Sequence, residues 1–207
     1  IEVDIGYGLI PLADPNQGGD LLDRITVVRK QLAYELGIIV PPIRIRDSVL
    51  LSSNEYVIKL KGVEVGRFEL IPERLLAINS GMASEELPGI KTKEPSFGLS
   101  AYWIDERLKD EAVEKGDAVD APTDLATQLT ETIKKYAHEI VEIKELEIMV
   151  DGLRVNYASL VDTLIPTMLK MHELKNVING LLYEKISVRN LPLIFESLIE
   201  SVDKYGN

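Results

Sequence analysis

Residues 18–66 decide the fold, and they read GGDLLDRITVVRKQLAYELGIIVPPIRIRDSVLLSSNEYVIKLKGVEVG. From Leu21 to Leu36, apolar residues recur at intervals of three and four, which predicts one buried face of a helix. We expect Asp20 to cap the first turn, because its carboxylate can accept hydrogen bonds from the free backbone N–H groups there. Gly37 is then the residue that ends the helix.

Extended segments follow this helix. Pro41 and Pro42 force an extended entry into residues 43–46, where apolar and basic side chains alternate as in a half-buried strand. Residues 56–60 and 63–65 flank a short turn and are typical of a hairpin. A helix, a strand and a hairpin in this order predict a small α/β unit with one sheet.

Several blocks of this part of the chain carry a family resemblance. LLDRI (21–25), RKQLAYELG (29–37), PPIRIRD (41–47) and NEYVIKLKGVEV (54–65) resemble the cytoplasmic region of the FlhA family. These proteins are the large export-gate subunits of flagellar and virulence type III secretion systems. The block IGYGLIPLAD (5–14) resembles the start of the soluble part of the same family. The resemblance implies that a membrane portion precedes this sequence and that a further C-terminal domain of the full protein follows it.

Composition narrows the classes of partner. The chain has 207 residues, 45% of them hydrophobic, and a formal net charge of −11. Such an acidic surface repels phosphate backbones and anionic lipid head groups, so we expect no nucleic-acid partner. The absence of cysteine excludes disulfides and thiolate chemistry. No apolar run approaches the roughly 18 residues of a membrane helix, and residue 1 starts directly in a strand-like pattern rather than a signal peptide.

The middle of the chain changes character at Pro72. Residues 75–79 and 99–104 predict two strands, with Ser80 and Gly81 ending the first, and a charged helix capped by Asp105 follows. Residues 116–122 are predicted to be a turn. The predicted core of this unit consists of Leu76, Ile78, Leu99, Trp103 and Leu108. So few apolar residues do not fold alone, and residues 73–120 are therefore predicted to be an inserted α/β subdomain.

A long helix is predicted from residues 123 and 124 onward, with its apolar face at Leu125, Leu129, Ile133, either Tyr136 or Ala137, and Ile140. The resemblance implies that this helix returns to the first sheet. Residues 1–72 and 121–141 would then form a discontinuous first α/β domain around the insertion.

The last third of the chain is predicted to be an all-helical domain, residues 142–207. Its predicted segments are 143–151, 157–164, 167–182 and 191–205, separated by Gly152, by Pro166 and by a turn at 187–190. Pro166 and Pro192 are each expected in the first turn of a helix. The predicted fold class is therefore α+β and multidomain.

The residue types that carry catalysis or bind metals form no recognisable pattern. His138 and His172 each lie in a predicted helix without a second ligand at a suitable spacing. No GxSxG sequence occurs, and the glycines at 18 and 19 match no phosphate-binding loop. We expect no catalytic residue, no metal and no cofactor. A small-molecule α/β enzyme is the alternative, and it requires a pocket with convergent polar groups of shifted pKa.

Phe97 lies in a loop between Pro95 and Gly98. A phenylalanine in such a loop either packs into the core or belongs to a contact patch, and the residues alone favour the core. The resemblance favours the contact patch, because the acid-Pro-x-Phe-Gly-Leu motif of the FlhA family matches residues 94–99. The family binds export chaperones loaded with late substrates at an apolar dimple beside this motif.

The resemblance also implies the other residues of that dimple. Carried over position by position, the partner-binding set is Glu94, Phe97, Leu99, Thr127, Leu76, Ile78, Val119 and Leu125. Glu94 stands where flagellar relatives often carry Asp and is expected to orient the partner. Asp124 is polar at a position where the resemblance implies an apolar residue. This difference would make the apolar floor of the dimple smaller. Burying the Phe97 ring would supply roughly 1.5–3 kcal/mol, which suits capture followed by release.

The function implied by the resemblance is that of a docking platform in the flagellar type III export gate, at the cytoplasmic face of the bacterial inner membrane. The implied partners are export chaperones with bound late flagellar substrates, export ATPase complex components, other export-gate membrane subunits and further copies of the chain in a ring of nine. The alternative within the family is a structural ring element of an injectisome export gate without direct chaperone capture. Exposure of Phe97 discriminates between the two.

Overall fold

The computed structural model describes residues 1–79 and 87–206. Within these residues the strands, in chain order, are β1 (Glu2–Ile5), β2 (Arg44–Asp47), β3 (Glu55–Leu60), β4 (Val63–Glu69), β5 (Leu75–Ile78), β6 (Ile90–Lys93), β7 (Ser100–Ile104) and β8 (Asp117–Asp120). The α-helices are α1 (Ile10–Ala13), α2 (Leu21–Leu36), α3 (Lys109–Lys115), α4 (Ala121–Ile140), α5 (Ile143–Leu164), α6 (Met171–Tyr183) and α7 (Leu191–Tyr205). This content confirms the predicted α+β class.

The chain divides into two compact units. The first consists of Ile1–Thr26 and Pro42–Thr132, and the second of Val27–Pro41 and Ile133–Asn207. The finer prediction of domains at 1–72 with 121–141, at 73–120 and at 142–207 stays a prediction. Within the described ranges, no helix combines the length and the apolar character needed to cross a membrane.

The first sheet has the strand order β2-β1-β3-β4. β1 and β2 are parallel, with α2 in the connection between them, and β3 pairs antiparallel with both β1 and β4. Lys61 and Gly62 form the two-residue turn of the hairpin, and both have positive φ, 51° and 79°. This geometry suits the right-handed twist of the flanking strands. The predicted helix, strand and hairpin are thereby confirmed.

The predicted apolar face of α2 is buried at Leu21, Ile25, Val28 and Leu32. Gly37 ends this helix with a φ of 74°. A Cβ atom on Gly37 would lie 2.3 Å from the Cα atom of Arg189. Both the left-handed backbone and the close approach therefore require glycine at this position.

The second sheet, made from the chain between residues 75 and 120, has the order β6-β7-β5-β8, and all its pairs are antiparallel. β5 and β7 confirm the two predicted strands, whereas β6 was not predicted. The predicted turn at 116–122 is wrong, because residues 117–120 pair with β5 as strand β8. The predicted strand end at Ser80 and Gly81 lies outside the described residues.

The predicted core of this second sheet was partly wrong, because it combined residues from two opposite faces. Ala77 and Ile104 pack with Ala112 of α3, and Leu108 joins this cluster. Since side chains alternate along a strand, Leu76, Ile78 and Trp103 lie on the other face. Leu99 is 39% exposed and belongs to neither core.

The predicted apolar face of α4 is buried along its whole length, at Leu125, Leu129, Ile133, Ala137 and Ile140. Of the two residues predicted for its fourth position, Ala137 is buried and Tyr136 is half-buried. The helix begins two residues earlier than predicted, at Ala121. Pro122 therefore occupies the first turn, where its missing N–H has no helical partner to lose.

Two predictions about the helical segments are wrong. Gly152 does not separate two helices but lies inside α5, whose backbone departs from helical geometry at Tyr157 instead. A glycine in a helix costs about 1 kcal/mol, and burial of Met149, Val150 and Leu153 offsets that loss. Pro166 does not open a helix either.

The chain around Pro166 forms a turn between α5 and α6. The N–H groups of Met168 and Leu169 both donate to the carbonyl oxygen of Leu164, and α6 begins only at Met171. The side chain of Leu169 is buried, which holds this turn in place. Pro192 does lie in the first turn of α7, as predicted.

Candidate functional site

The loop that carries Phe97 joins β6 to β7. Phe97 is 63% exposed, so the expectation drawn from the residues alone, a phenylalanine in the core, is wrong. Leu99, two residues further on, is also exposed. An aromatic ring and a leucine on one short loop offer a partner a small apolar contact patch.

The loop is closed by hydrogen bonds that all involve Glu94. The backbone N–H of Glu94 donates to the carbonyl oxygen of Leu99 at 2.9 Å, and the N–H of Gly98 donates to the carbonyl oxygen of Glu94 at 3.1 Å. Gly98 has a φ of 71°, which glycine adopts without strain. The loop thus presents Phe97 from a backbone that is bonded across its base.

The Glu94 side chain also forms hydrogen bonds within the loop. It is 2% exposed, and its carboxylate accepts from the backbone N–H groups of Ser96 at 2.9 Å, Phe97 at 2.6 Å and Leu99 at 3.2 Å. Hydrogen bonds to a carboxylate are among the stronger kind. The expectation that Glu94 orients a partner directly therefore needs correction, because its carboxylate is buried and orients the loop.

A buried polar cluster, formed by Glu94, Tyr56, Asp124 and Gln128, underlies this part of the first unit. All four side chains are buried. The Tyr56 hydroxyl donates to Oε1 of Gln128. Oδ2 of Asp124 is buried and has no hydrogen-bond partner within the described residues. Such an arrangement is costly in a protein core and calls for an explanation.

Burial and neighbouring negative charges shift the pKa values of two groups in this cluster, Asp124 and Tyr56. Burial raises the pKa of Asp124 to about 7, and the negative charge of Glu94 contributes to the same rise. Burial also raises the pKa of the Tyr56 hydroxyl, and the charges of Asp124 and Glu94 add to it. Two carboxyl groups that repel each other in a core do not both ionise readily, so one of them holds a proton.

Two of the four apolar side chains predicted to line the dimple are not accessible to a partner. Leu76 and Leu125 are fully buried, whereas Ile78 and Val119 are half-buried. Leu76 lies directly opposite Val119 of β8 and opposite Trp103 of β7. The structure therefore brings Leu76, Ile78 and Val119 to one face of the second sheet, where Leu76 is fully buried and the other two are half-buried.

Aromatic rings connect the two sheets of the first unit. Phe68 of β4 stacks on Trp103 with 6.4 Å between the ring centroids, and it meets Tyr56 edge-on at the same distance. Such pairs add stability beyond the burial of their area. Sequence reasoning identified Trp103 as a core residue but did not select Phe68 or Tyr56, because their meeting depends on the pairing of distant strands.

Thr127, the expected binding threonine, is exposed on α4. Its hydroxyl donates to the carbonyl oxygen of Thr123 at 3.0 Å, so only its acceptor lone pairs remain for a partner. Thr123 itself accepts from Arg24 at 2.9 Å, and Arg24 also lies 3.5 Å from the Asp120 carboxylate. The first turn of α4 is thereby tied to α2.

The enzyme alternative requires polar groups of shifted pKa in a pocket that a solute can reach. Among residues 1–79 and 87–206, no three His, Asp or Glu side chains are grouped closely enough to bind a metal ion. The polar groups with shifted pKa do converge, as an enzyme would require. However, they are buried, so a solute cannot reach them in this conformation.

Comparison with known proteins gives consistent results. The family model described as FHIPEP matches residues 1–206. The flagellar biosynthesis protein FlhA of Bacillus subtilis is 47% identical over 201 residues, which is 97% of this chain and 30% of that protein. The chain thus spans about a third of the length of this curated relative.

Solved structures share the fold. CdsV of Chlamydia pneumoniae, in a structure of its complex with CdsO, matches with a TM-score of 0.85 and 23% identity, covering 100% of this chain and 65% of that one. The nonameric SctV-C of EPEC matches with a TM-score of 0.75 and 19% identity, covering 100% and 60%. The whole-length family match and the 47% identity together show that this chain belongs to the FHIPEP family.

Proposed function

We propose that this chain is a docking platform of the flagellar type III export gate, and that it binds export chaperones carrying late flagellar substrates at Phe97. Membership of a family that includes flagellar biosynthesis proteins supports the export-gate role. The observation that supports docking is the 63% exposure of Phe97 on a loop closed by Glu94. Its role is to bind and release, without a chemical step.

The energetics suit a contact that must later be broken. The Glu94 hydrogen bonds hold the loop before any partner arrives, so binding loses little loop entropy. Burying one phenylalanine side chain supplies roughly 1.5–3 kcal/mol. The half-buried Ile78 and Val119 add apolar area of the same kind. The affinity then depends on a few apolar side chains, with Phe97 as the anchor.

The wider assembly is also part of the proposal. SctV-C of EPEC is a nonamer and CdsV was solved with CdsO, and a ring of nine copies of the full protein would place many Phe97 loops side by side. We place this ring at the cytoplasmic face of the bacterial inner membrane. There it would contact export ATPase components and the membrane subunits of the gate.

The test is calorimetric titration with a flagellin-type chaperone bound to its substrate. Phe97→Ala should weaken binding at least about tenfold, since the ring supplies at least about 1.4 kcal/mol. It should leave thermal unfolding unchanged, because the ring is largely exposed. The matched control is Val49→Ala, which removes methyl groups from a side chain that is 97% exposed elsewhere in the same unit. Equal affinity of Phe97→Ala and the unmutated chain would refute the docking role.

The structural alternative, a ring element of an injectisome gate without chaperone capture, requires Phe97 to be enclosed by its own chain. The exposure of Phe97 in this chain counts against that reading. Contact of Phe97 with a second copy of the chain is a separate possibility from enclosure by its own chain. Titration with the chaperone complex, combined with a measurement of self-association, separates this contact from chaperone docking. Loss of self-association in Phe97→Ala, with chaperone binding retained, would favour the structural role.

A further inference from the structure

Two buried carboxyl groups from different elements interact beneath the Phe97 loop. Glu94 begins the loop after β6, and Asp124 lies in the first turn of α4, 30 residues later in the chain. Each side chain is 2% exposed. A pair of acids in a core is stable only if at least one of them is neutral or neutralised.

The surroundings of the two carboxyl groups differ in a way that decides which one is neutral. Glu94 accepts three backbone N–H groups, which stabilise its charged form. Oδ2 of Asp124 has no hydrogen-bond partner in the described part of the chain. The negative charge therefore resides on Glu94, and the proton on Asp124.

Within residues 1–79 and 87–206, Glu94 is the one charged group that shifts the pKa of Asp124, and no positive charge offsets its effect. From β3, Tyr56 contributes a hydroxyl that donates to Gln128 of α4, and both of these groups are neutral. From α2, Arg24 reaches the first turn of α4, but it contacts Thr123 and Asp120. When Asp124 ionises, its charge meets mainly the carboxylate of Glu94.

We infer that Asp124 is a proton-dependent positioning residue for the Phe97 loop: while it is protonated the Glu94 hydrogen bonds hold the loop closed, and when it ionises they weaken. The repulsion between two buried carboxylates is relieved if Glu94 moves toward water, and such a movement lengthens its bonds to Ser96, Phe97 and Leu99. Burial, which raises the pKa of Asp124 to about 7, brings this change into the range of ordinary cellular pH.

The consequence for docking rests on the proposed function of the Phe97 loop. A closed loop presents the ring at no entropic loss, whereas a loosened loop must be ordered again when the partner binds. A chaperone complex should therefore bind more tightly at pH 6 than at pH 8. Release would be favoured where the local pH is higher, without any change in the partner.

The loop itself can be observed directly, without a partner. In ¹H–¹⁵N NMR spectra of the chain between pH 5.5 and 8.5, the amide signals of Ser96, Phe97 and Leu99 should shift together with a midpoint near pH 7. In Asp124→Asn this shared midpoint should disappear. The amide signals of α7, which lies in the second unit, should be the same in the variant and in the unmutated chain at each pH and serve as the internal control.

Two results would overturn the inference. One is a set of loop amides that do not shift in the unmutated chain, and the other is a midpoint that persists in Asp124→Asn. If the asparagine variant does not fold, Asp124→Leu takes its place, because it also removes the ionisable group. Well-dispersed amide signals establish folding in either case.

Titration with the chaperone complex at pH 6 and pH 8 then separates this inference from the proposed function. The unmutated chain should bind at least about threefold more weakly at pH 8, and Asp124→Asn should bind equally at both values. Absence of chaperone binding at both pH values, together with the NMR midpoint, would refute the docking function and leave the positioning role standing. Equal binding by the unmutated chain at both pH values would refute the link between the proton and docking.

Discussion

Replacing Asp124 by asparagine removes a carboxyl group that binds its proton more tightly in the folded chain than in the unfolded one. The pKa is about 7 in the folded protein against an ordinary value of 3.8. At 1.36 kcal/mol per pH unit this difference corresponds to about 4 kcal/mol of folding free energy. Because the side chain is 2% exposed, solvent screening does not reduce this value substantially.

The direction in which stability changes with pH depends on whether the folded or the unfolded chain holds the Asp124 proton. Between pH 4 and pH 7 the folded chain keeps the Asp124 proton and the unfolded chain has lost it. The contribution of this group to stability therefore falls as pH rises through that interval, and it is constant above about pH 7. Carboxylates of lowered pKa act in the opposite direction, as at Asp105, which accepts from the backbone N–H and the guanidinium of Arg107. They act equally in the variant and cancel in the comparison.

The assay is urea unfolding at several pH values between 4.5 and 8, followed by tryptophan fluorescence. Trp103 is the single tryptophan of the chain and lies in the core of the first unit, close to the aromatic residue Phe68. The free energy of unfolding of Asp124→Asn, relative to the unmutated chain, should rise by about 3–4 kcal/mol from pH 4.5 to pH 8. A difference that is the same at both ends of this range would refute the argument.

Two further substitutions test the loop and the fold. Glu94→Gln removes the charge that the three loop amides bind, so it should destabilise the first unit by about 1–3 kcal/mol in the same urea assay; it should also lower the pKa of Asp124, and an unchanged NMR midpoint would contradict this. Gly37→Ala should destabilise by at least about 1–2 kcal/mol in thermal unfolding followed by circular dichroism, because its φ is 74° and the new Cβ would lie 2.3 Å from Arg189. The control is Gly152→Ala inside α5, where a Cβ meets nothing within 4 Å and where helix propensity predicts no loss. Equal stability of the two alanine variants would contradict the role assigned to Gly37.

Local patterns made most of the fold predictable. The helical period of α2 and α4 and the turn at Lys61-Gly62 are properties of neighbouring residues, and the structure confirms them. The sequence did not predict strands β6 and β8, because each has four residues, two of them charged, and each exists through its pairing with another strand. The predicted helix break at Gly152 was wrong for a related reason. Burial of the apolar side chains of α5 outweighs the low helix propensity of this one glycine.

The candidate site was predictable in position but not in the direction of its side chains. The motif at 94–99 locates the loop, yet an acid beside a phenylalanine gives no sign of which one faces inward. Asp124 and Gln128, four residues apart on α4, share a side of the helix next to Leu125 and Leu129. That spacing was the available signal for a buried polar cluster, and its partners Glu94 and Tyr56 come from distant parts of the chain.

Because the Glu94 side chain points inward, the motif at 94–99 would select a different kind of partner than a surface carboxylate would. A carboxylate on the surface would select a cation, and the affinity would then fall with added salt. Here the three loop N–H groups occupy that carboxylate, while Phe97 and Leu99 face outward. The acid therefore acts on the shape of the loop, and under the proposed docking function the contact with a partner would be apolar. Such a contact, on a chain of net charge −11, would accept partners of varied sequence, provided that each presents an apolar surface of matching shape. The proton on Asp124, which we infer to act on the loop, would then affect the binding of every such partner alike.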